Sequence, residues 1–210
     1  MKYIQKRFCP SGLARYKRCT GSSFLKMQSE ALEAKNELRE QLLTEQGYIC
    51  GYCGSQIDEK HSVIEHLKCR AKYPKLQLEY ENMICSCNGG KDHRGLNPQY
   101  PLYCDASKGS QDIPVSPLDE CCSSVFIYDD MGNIHNNDSL NAEITIDILQ
   151  LNNTKLKNRR RRAIDSYRYL SDDDIDWEEE LQALSNYNNA GKYGEFCFVL
   201  EQYIKNYRLP

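Results

Sequence analysis

The sequence has no surplus of positive charge: across its 210 residues, 27 Lys and Arg stand against 30 Asp and Glu, a formal net charge of −3. Whole-molecule attraction to nucleic acid is thereby excluded, and any phosphate contact has to come from a local patch. No apolar run of about 18 residues occurs, so neither a membrane-crossing helix nor a membrane partner is expected. The opening MKYIQKRFCPSG lacks the hydrophobic stretch of a secretory signal, which makes the cytoplasm the expected location. Internal repeats are absent as well.

Cysteine is what the chain has in excess, eleven in all. In a reducing compartment thiols stay free, and metal ligation accounts for so many better than disulfides do. The odd count would in any case leave one thiol unpaired. The length allows one medium domain with a real hydrophobic centre.

Three stretches differ in texture. Residues 1–46 start with a basic segment (Lys2, Lys6, Arg7, Arg15, Lys17, Arg18) and pass into a helix, capped by Ser22 or Ser23 and carrying Leu25, Leu32, Leu38 and Leu42 through Gln46. Gly47 ends it. Residues 47–110 hold short β-like pieces, many turn residues and nearly all the chemistry. In residues 111–210 a loop leads to a hairpin (Val125 to Tyr128, a turn at Asp130 to Asn133, then Ile134). A helix follows from Asn152 or Thr154, then an acidic run from Asp172 to Glu180 and a Tyr-rich helix from about Tyr193 to Tyr207.

The cysteine spacing suggests a zinc staple. Cys50-Gly-Tyr-Cys53 lets two thiolates approach one ion from a single turn, and zinc takes four such ligands in a tetrahedron. Cys85 and Cys87 are too close together to share an ion without strain, so Cys104 is the better partner for Cys87. The expected set is Cys50, Cys53, Cys87 and Cys104, with Cys85 or His93 as the substitute. Four sulfurs leave no open position for water, so this zinc holds structure and does no chemistry.

Between the cysteines lie Glu65-His66, Asn82-Met-Ile84 and Cys104-Asp105-Ala-Ser-Lys108-Gly109. This succession resembles the HNH endonucleases of the ββα-metal fold. The resemblance implies an α+β chain: a small zinc-stapled ββα core flanked by N- and C-terminal helices. It puts His66, Asn82 and Asp105 at the three motif positions. Two departures stand out, Glu65 where Asp usually precedes the first His, and Asp105 where His or Asn is usual. Both are hard oxygen donors, which favours Mg²⁺ or Mn²⁺. Met1-Lys-Tyr-Ile-Gln-Lys6, Ile64-Glu-His-Leu-Lys-Cys-Arg70, Tyr80-Glu-Asn-Met-Ile84 and the stretch Ile148 to Arg160 further resemble the HNH proteins of anti-phage defence operons, the Septu-type and retron-associated nucleases. That group implies a bacterial setting and an ABC-type ATPase partner.

Phosphodiester hydrolysis needs an activated water, a cation to take developing charge and fixed geometry. His66 suits the general base. Glu65 and Asp105 would hold the divalent ion, and the Asn82 amide would bridge backbone groups or orient the imidazole. Lys68, Arg70 and Lys108 are the expected phosphate contacts, with Lys91 and Arg94 nearby. The six cations between Lys155 and Arg162 suit either a second phosphate-binding face or pairing with the acidic run. The alternative to an enzyme is a zinc-stapled adaptor that binds nucleic acid or the ATPase. A thiol redox role for Cys50 and Cys53 lacks the expected βαβ surroundings.

Overall fold

The computed structural model describes residues 1–172 and 175–209, a mixed α+β arrangement of helices around two separate two-stranded antiparallel sheets. An extended strap opens the chain and is pinned by charge. Lys6 Nζ lies 3.2 Å from Glu45 Oε2, 3.1 Å from Met83 O and 3.6 Å from the centre of the Tyr80 ring. Both side chains are nearly out of water, so each charge depends on the other.

Helix α1 (Ser11–Lys17) forms inside what reads in the sequence as a basic segment. Its first turn is held from outside, because Glu37 accepts bonds from the Gly12 N–H (2.9 Å) and the Ser11 hydroxyl (3.3 Å). The single helix expected up to Gln46 is divided into α2 (Met27–Glu30) and α3 (Leu32–Glu45) at Ala31, whose φ of −151° and ψ of 54° are not helical. The leucine stripe does not form one face. Leu38 and Leu42 are fully buried, Leu25 and Leu32 are exposed, and Phe24 and Met27 supply the buried contacts instead. Gly47, at φ +57°, ends α3 as its sequence position suggests, and the Tyr48 N–H reaches back 2.9 Å to Leu43 O.

Strands β1 (Val63–His66) and β2 (Met83–Ser86) pair with Glu65 opposite Ile84 and His66 opposite Met83. Two short helices follow, α4 (Lys91–Leu96), exposed along its whole length, and α5 (Asp105–Lys108). The expected hairpin is present as β3 (Phe126–Tyr128) and β4 (Ile134–Asn136).

Helix α6 (Leu140–Leu149), capped by Ser139, has no counterpart in the sequence reading. Its Ile-Thr-Ile-Asp-Ile stretch disfavours helix locally, but burial of Thr145, Ile146 and Leu149 outweighs that preference. Helix α7 (Thr154–Arg168) starts where expected, with Asn153 as its cap. The acidic run is in part helical, α8 (Trp177–Ser185) capped by Asp176, while Asp173 and Asp174 lie outside the described residues. Helix α9 (Cys197–Tyr207) begins later than expected because the residues before it serve as ties: the Tyr193 N–H bonds to Gly47 O and the Phe196 N–H to Gly54 O, each at 2.9 Å.

Much of the Lys155–Arg162 tract is used inside the chain. Arg159 pairs with Glu195, and Arg161 Nε lies 3.7 Å from Asp165. Arg160, 1% exposed, donates from Nε to Gly132 O (2.7 Å) and from Nη2 to Leu151 O (2.8 Å), locking the β3–β4 turn onto α7. None of these partners belongs to the acidic run. Buried side chains from Met1 to Ile204 make one hydrophobic cluster.

Candidate functional site

The sulfurs of Cys50, Cys53, Cys87 and Cys104 all lie within 4.8 Å of one another. Cys50–Cys104 and Cys53–Cys87 are each 3.9 Å apart, close to the edge of a tetrahedron with zinc–sulfur bonds of about 2.3 Å, which is about 3.8 Å. All eleven cysteines are free thiols. Burial alone would push the Cys50 thiol up, but the Cys104, Cys53 and Cys87 thiols hold it well below its usual value. Burial and the Cys50 thiolate push Cys104 up. Held protons beside a thiolate are what a dication would displace. The donor set fits zinc. Cys85 stands apart, its thiol facing Arg39 O at 3.9 Å, and His93 stacks on Tyr100 with ring centres 4.7 Å apart.

Local backbone builds this cluster. The Gln46 side chain accepts from the Cys85 N–H (2.6 Å) and donates to Cys85 O (2.7 Å) and Ile49 O (2.9 Å), fastening the end of α3 to β2 like an extra strand. The Gly51 N–H adds a 3.1 Å bond to Cys85 O. On the far side Gly89, at φ +63°, lets the Cys87 arm pass the Cys104 arm: a Cβ there would sit 2.0 Å from Tyr103 O.

Next to the cluster a cleft of about 670 Å³ is lined by Glu65, His66, Arg70, Lys91, Asp105 and the exposed Leu25, among others. Glu65 and His66 are neighbours along β1, and Asp105 is the first residue of α5, directly after the ligand Cys104. The Glu65 and Asp105 carboxyls line the same cleft, close enough for each to shift the other's titration. Burial, then Asp105, raises Glu65 to about 7 against the opposing pull of Lys108. Burial would raise Asp105 too, but neighbouring Glu65 and the Lys91 ammonium, 2.6 Å away, bring it below its usual value. Two hard oxygen donors of this kind fit a divalent ion that completes its shell with water.

His66 is 5% exposed, with the Phe24 ring edge-on at 4.5 Å. Its Nε2 lies 3.0 Å from Gln77 O. A carbonyl only accepts, so Nε2 carries the proton and Nδ1 is the basic nitrogen. Burial lowers the imidazole to about 4, so it is neutral at physiological pH. Among the described residues, only the four cysteines bring three or more metal-capable side chains within 4.8 Å of one another. His66 thus shares the cleft with the carboxyl pair without closing on it as a third ligand.

Asn82 does not touch the imidazole. Its Oδ1 accepts from the Lys68 N–H (2.7 Å) and its Nδ2 donates to Lys68 O (3.0 Å) and Leu76 O (3.1 Å), bracing the loop between β1 and β2. Lys68 is at the surface, 3.4 Å from Asp112, and Arg70 lies over the Phe24 ring at the cleft wall. Lys108, expected to face a phosphate, is 1% exposed: its Nζ sits 2.8 Å from Glu65 Oε1 and 3.0 Å from His66 O. Four residues after Cys104 on the same helical turn, it is drawn inside with that ligand. Three participants escape the sequence reading. Gln46 and Gln77 give no signal there, and Tyr52 reads as a spacer between cysteines, yet its hydroxyl donates to Glu65 Oε1 at 3.1 Å.

Among the described residues no helix is long and apolar enough to cross a membrane. No family model matches the chain. A protein of Vibrio cholerae serotype O1 biovar El Tor, named by assignment as the HNH endonuclease of retron Vc95, is 25% identical over 205 residues, covering 92% of this chain and 94% of its own. The similarity to a protein so named thus extends over nearly all of both chains.

Proposed function

We propose that the protein is a divalent-metal-dependent HNH endonuclease that hydrolyses phosphodiester bonds of nucleic acid. The observation that carries this reading is a buried imidazole opening on the same cleft as the two carboxyls of Glu65 and Asp105. A hydrolase that must remove a proton from water beside a cation needs this combination. The order of β1, β2 and α5, which carry or flank the motif positions, supports a ββα core, and the four-sulfur cluster supports structural zinc.

In this reading His66 Nδ1 takes the proton from water. The Nε2–H bond to Gln77 O then stabilises the imidazolium, since a carbonyl dipole favours the charged ring. Mg²⁺ or Mn²⁺, held by Glu65 and Asp105, would supply charge stabilisation at the phosphate and the leaving oxygen. Asn82 keeps the β1–β2 loop in place. Arg70 meets the nucleic-acid backbone at the cleft wall, and Lys68 meets it from the exposed surface. Arg94 and Lys155, both exposed, extend that path, Lys155 lying 5.4 Å from the centre of the Tyr100 ring. The retron in the relative's name is consistent with a role in bacterial anti-phage defence; an ABC-type ATPase partner is implied by the resemblance of the flanking segments alone.

The test is cleavage of plasmid DNA and of RNA by the purified chain, alone and with a co-expressed ATPase. Cleavage should require Mg²⁺ or Mn²⁺, stop with EDTA, and vanish in His66→Ala with zinc content unchanged. Wild-type rates from His66→Ala would remove the imidazole from the chemistry and leave the adaptor reading.

A further inference from the structure

Glu65 is held from two directions, and both holders sit beside zinc-ligand positions. Tyr52, 1% exposed, lies between Cys50 and Cys53, and its hydroxyl donates to Glu65 Oε1 at 3.1 Å. Lys108, on the helical turn that begins at Cys104, places its ammonium 2.8 Å from that same Oε1. Two donors on one carboxylate oxygen occupy its in-plane lone pairs and fix the carboxylate plane. By difference, Oε2 is the oxygen left for a cation.

We propose that Tyr52 is a positioning residue for the divalent-ion site, which it acts on through Glu65 from within the zinc-binding turn. This rests on the reading of Glu65 as a ligand of that ion. The argument is one of preorganisation. A buried carboxylate held by Lys108 alone can turn about its last torsion, and the ion then has to bind a donor that is no longer aimed at it. Zinc held at the cysteine cluster would have a second use: by fixing the backbone on both sides of Tyr52, it would fix the hydroxyl that aims Glu65.

Tyr52→Phe removes one oxygen and preserves the packing. Zinc stoichiometry and the visible spectrum of the cobalt-substituted cysteine site should match wild type. Half-saturation by Mn²⁺, read by electron paramagnetic resonance and by the metal dependence of cleavage, should rise about tenfold, the loss expected for one hydrogen bond to a charged group. The rate at saturating Mn²⁺ should stay within about twofold of wild type, since His66 is untouched. Unchanged half-saturation would overturn the proposal while leaving the nuclease reading intact. So would loss of zinc from the variant, which would make Tyr52 a structural residue only. A wild-type chain that binds Mn²⁺ but cleaves nothing would fail the nuclease reading alone, and the resonance titration would still decide the role of Tyr52.

Discussion

Glu65 and His66 are neighbours on one strand, both are buried, and burial acts on them in opposite senses. It raises the acid to about 7 and lowers the base to about 4, so each favours its neutral form. The consequences for stability oppose each other as well. The folded-state value of His66 lies below its unfolded 6.5, so its contribution is complete above pH 6.5 and is lost as pH falls towards 4. The folded-state value of Glu65 lies above its unfolded 4.5, so its contribution is complete below pH 4.5 and is lost as pH rises through 7. Between pH 4.5 and 6.5 the two slopes offset each other. Urea midpoints of the zinc-loaded, magnesium-free protein should separate them. Relative to wild type, Glu65→Gln should become more stable as pH rises across this window, and His66→Gln less stable. Parallel curves for all three proteins would refute the assigned shifts.

The same residues show what a sequence makes visible. Glu65-His66 stands out because a polar pair on a short strand between cysteines has little structural use. The opposite fate of Lys108 is hidden, since a lysine next to Gly109 looks like a surface cation and only the fold shows that its ammonium sits against Glu65. Tyr52 is hidden for a related reason: nothing in a C-x-x-C spacing reveals which way the intervening side chains face.

Among the elements, the short ones depend most on their context. Helix α5 is a single turn, and its start at Cys104, at φ +51°, is set by the sulfur cluster and by a 2.9 Å bond from the Cys104 N–H to Leu149 O on α6. The loop before it depends on Gly89. Gly89→Ala adds the cost of a left-handed alanine, about 1–2 kcal/mol, to a clash with Tyr103 O that backbone movement must relieve. The variant should therefore lose zinc to a competing chelator faster than wild type, measured by release into a colorimetric dye; equal rates would mean that the two arms can separate freely.

In α7, Arg160 is the element's anchor. Arg160→Met should cost about 3 kcal/mol in chemical denaturation by leaving the Gly132 and Leu151 carbonyls buried without donors. A loss under about 0.5 kcal/mol, the usual range of surface substitutions, would show that water replaces the guanidinium. The start of α7 is legible because Asn153 and the residues after it carry an N-cap signal. Helix α6 is not, since its β-branched residues favour strand and only tertiary burial selects helix. Helix α1 is hidden likewise, because Glu37, more than twenty positions away in sequence, supplies its first-turn partner.

At the scale of the whole molecule, the C-terminal region closes over the zinc-binding turn. The Phe198 ring lies against Gly54, where a Cβ would come within 2.5 Å of it, and the Phe196 N–H bonds to Gly54 O. One core thus spans the chain, and the cysteine cluster sits inside it. Thiol accessibility should follow. In the zinc-loaded native protein iodoacetamide should modify the exposed Cys9, Cys19 and Cys121. Cys122 and Cys197, which burial pushes up to about 11, should resist, and the four clustered thiols should react only after chelation. Mass spectrometry of the labelled peptides reads this directly, and early labelling of Cys50 or Cys104 would contradict the burial.

Metal stoichiometry is the most direct test of the central claim, that a sulfur-bound ion holds a scaffold on which oxygen donors bind a second one. The account predicts one zinc and one Mn²⁺ per chain in wild type. Asp105→Asn should lose the Mn²⁺ and keep the zinc, whereas Cys104→Ser should lose both. Mn²⁺ binding that ignores Asp105, or that survives intact once the cysteine site is broken, would contradict it.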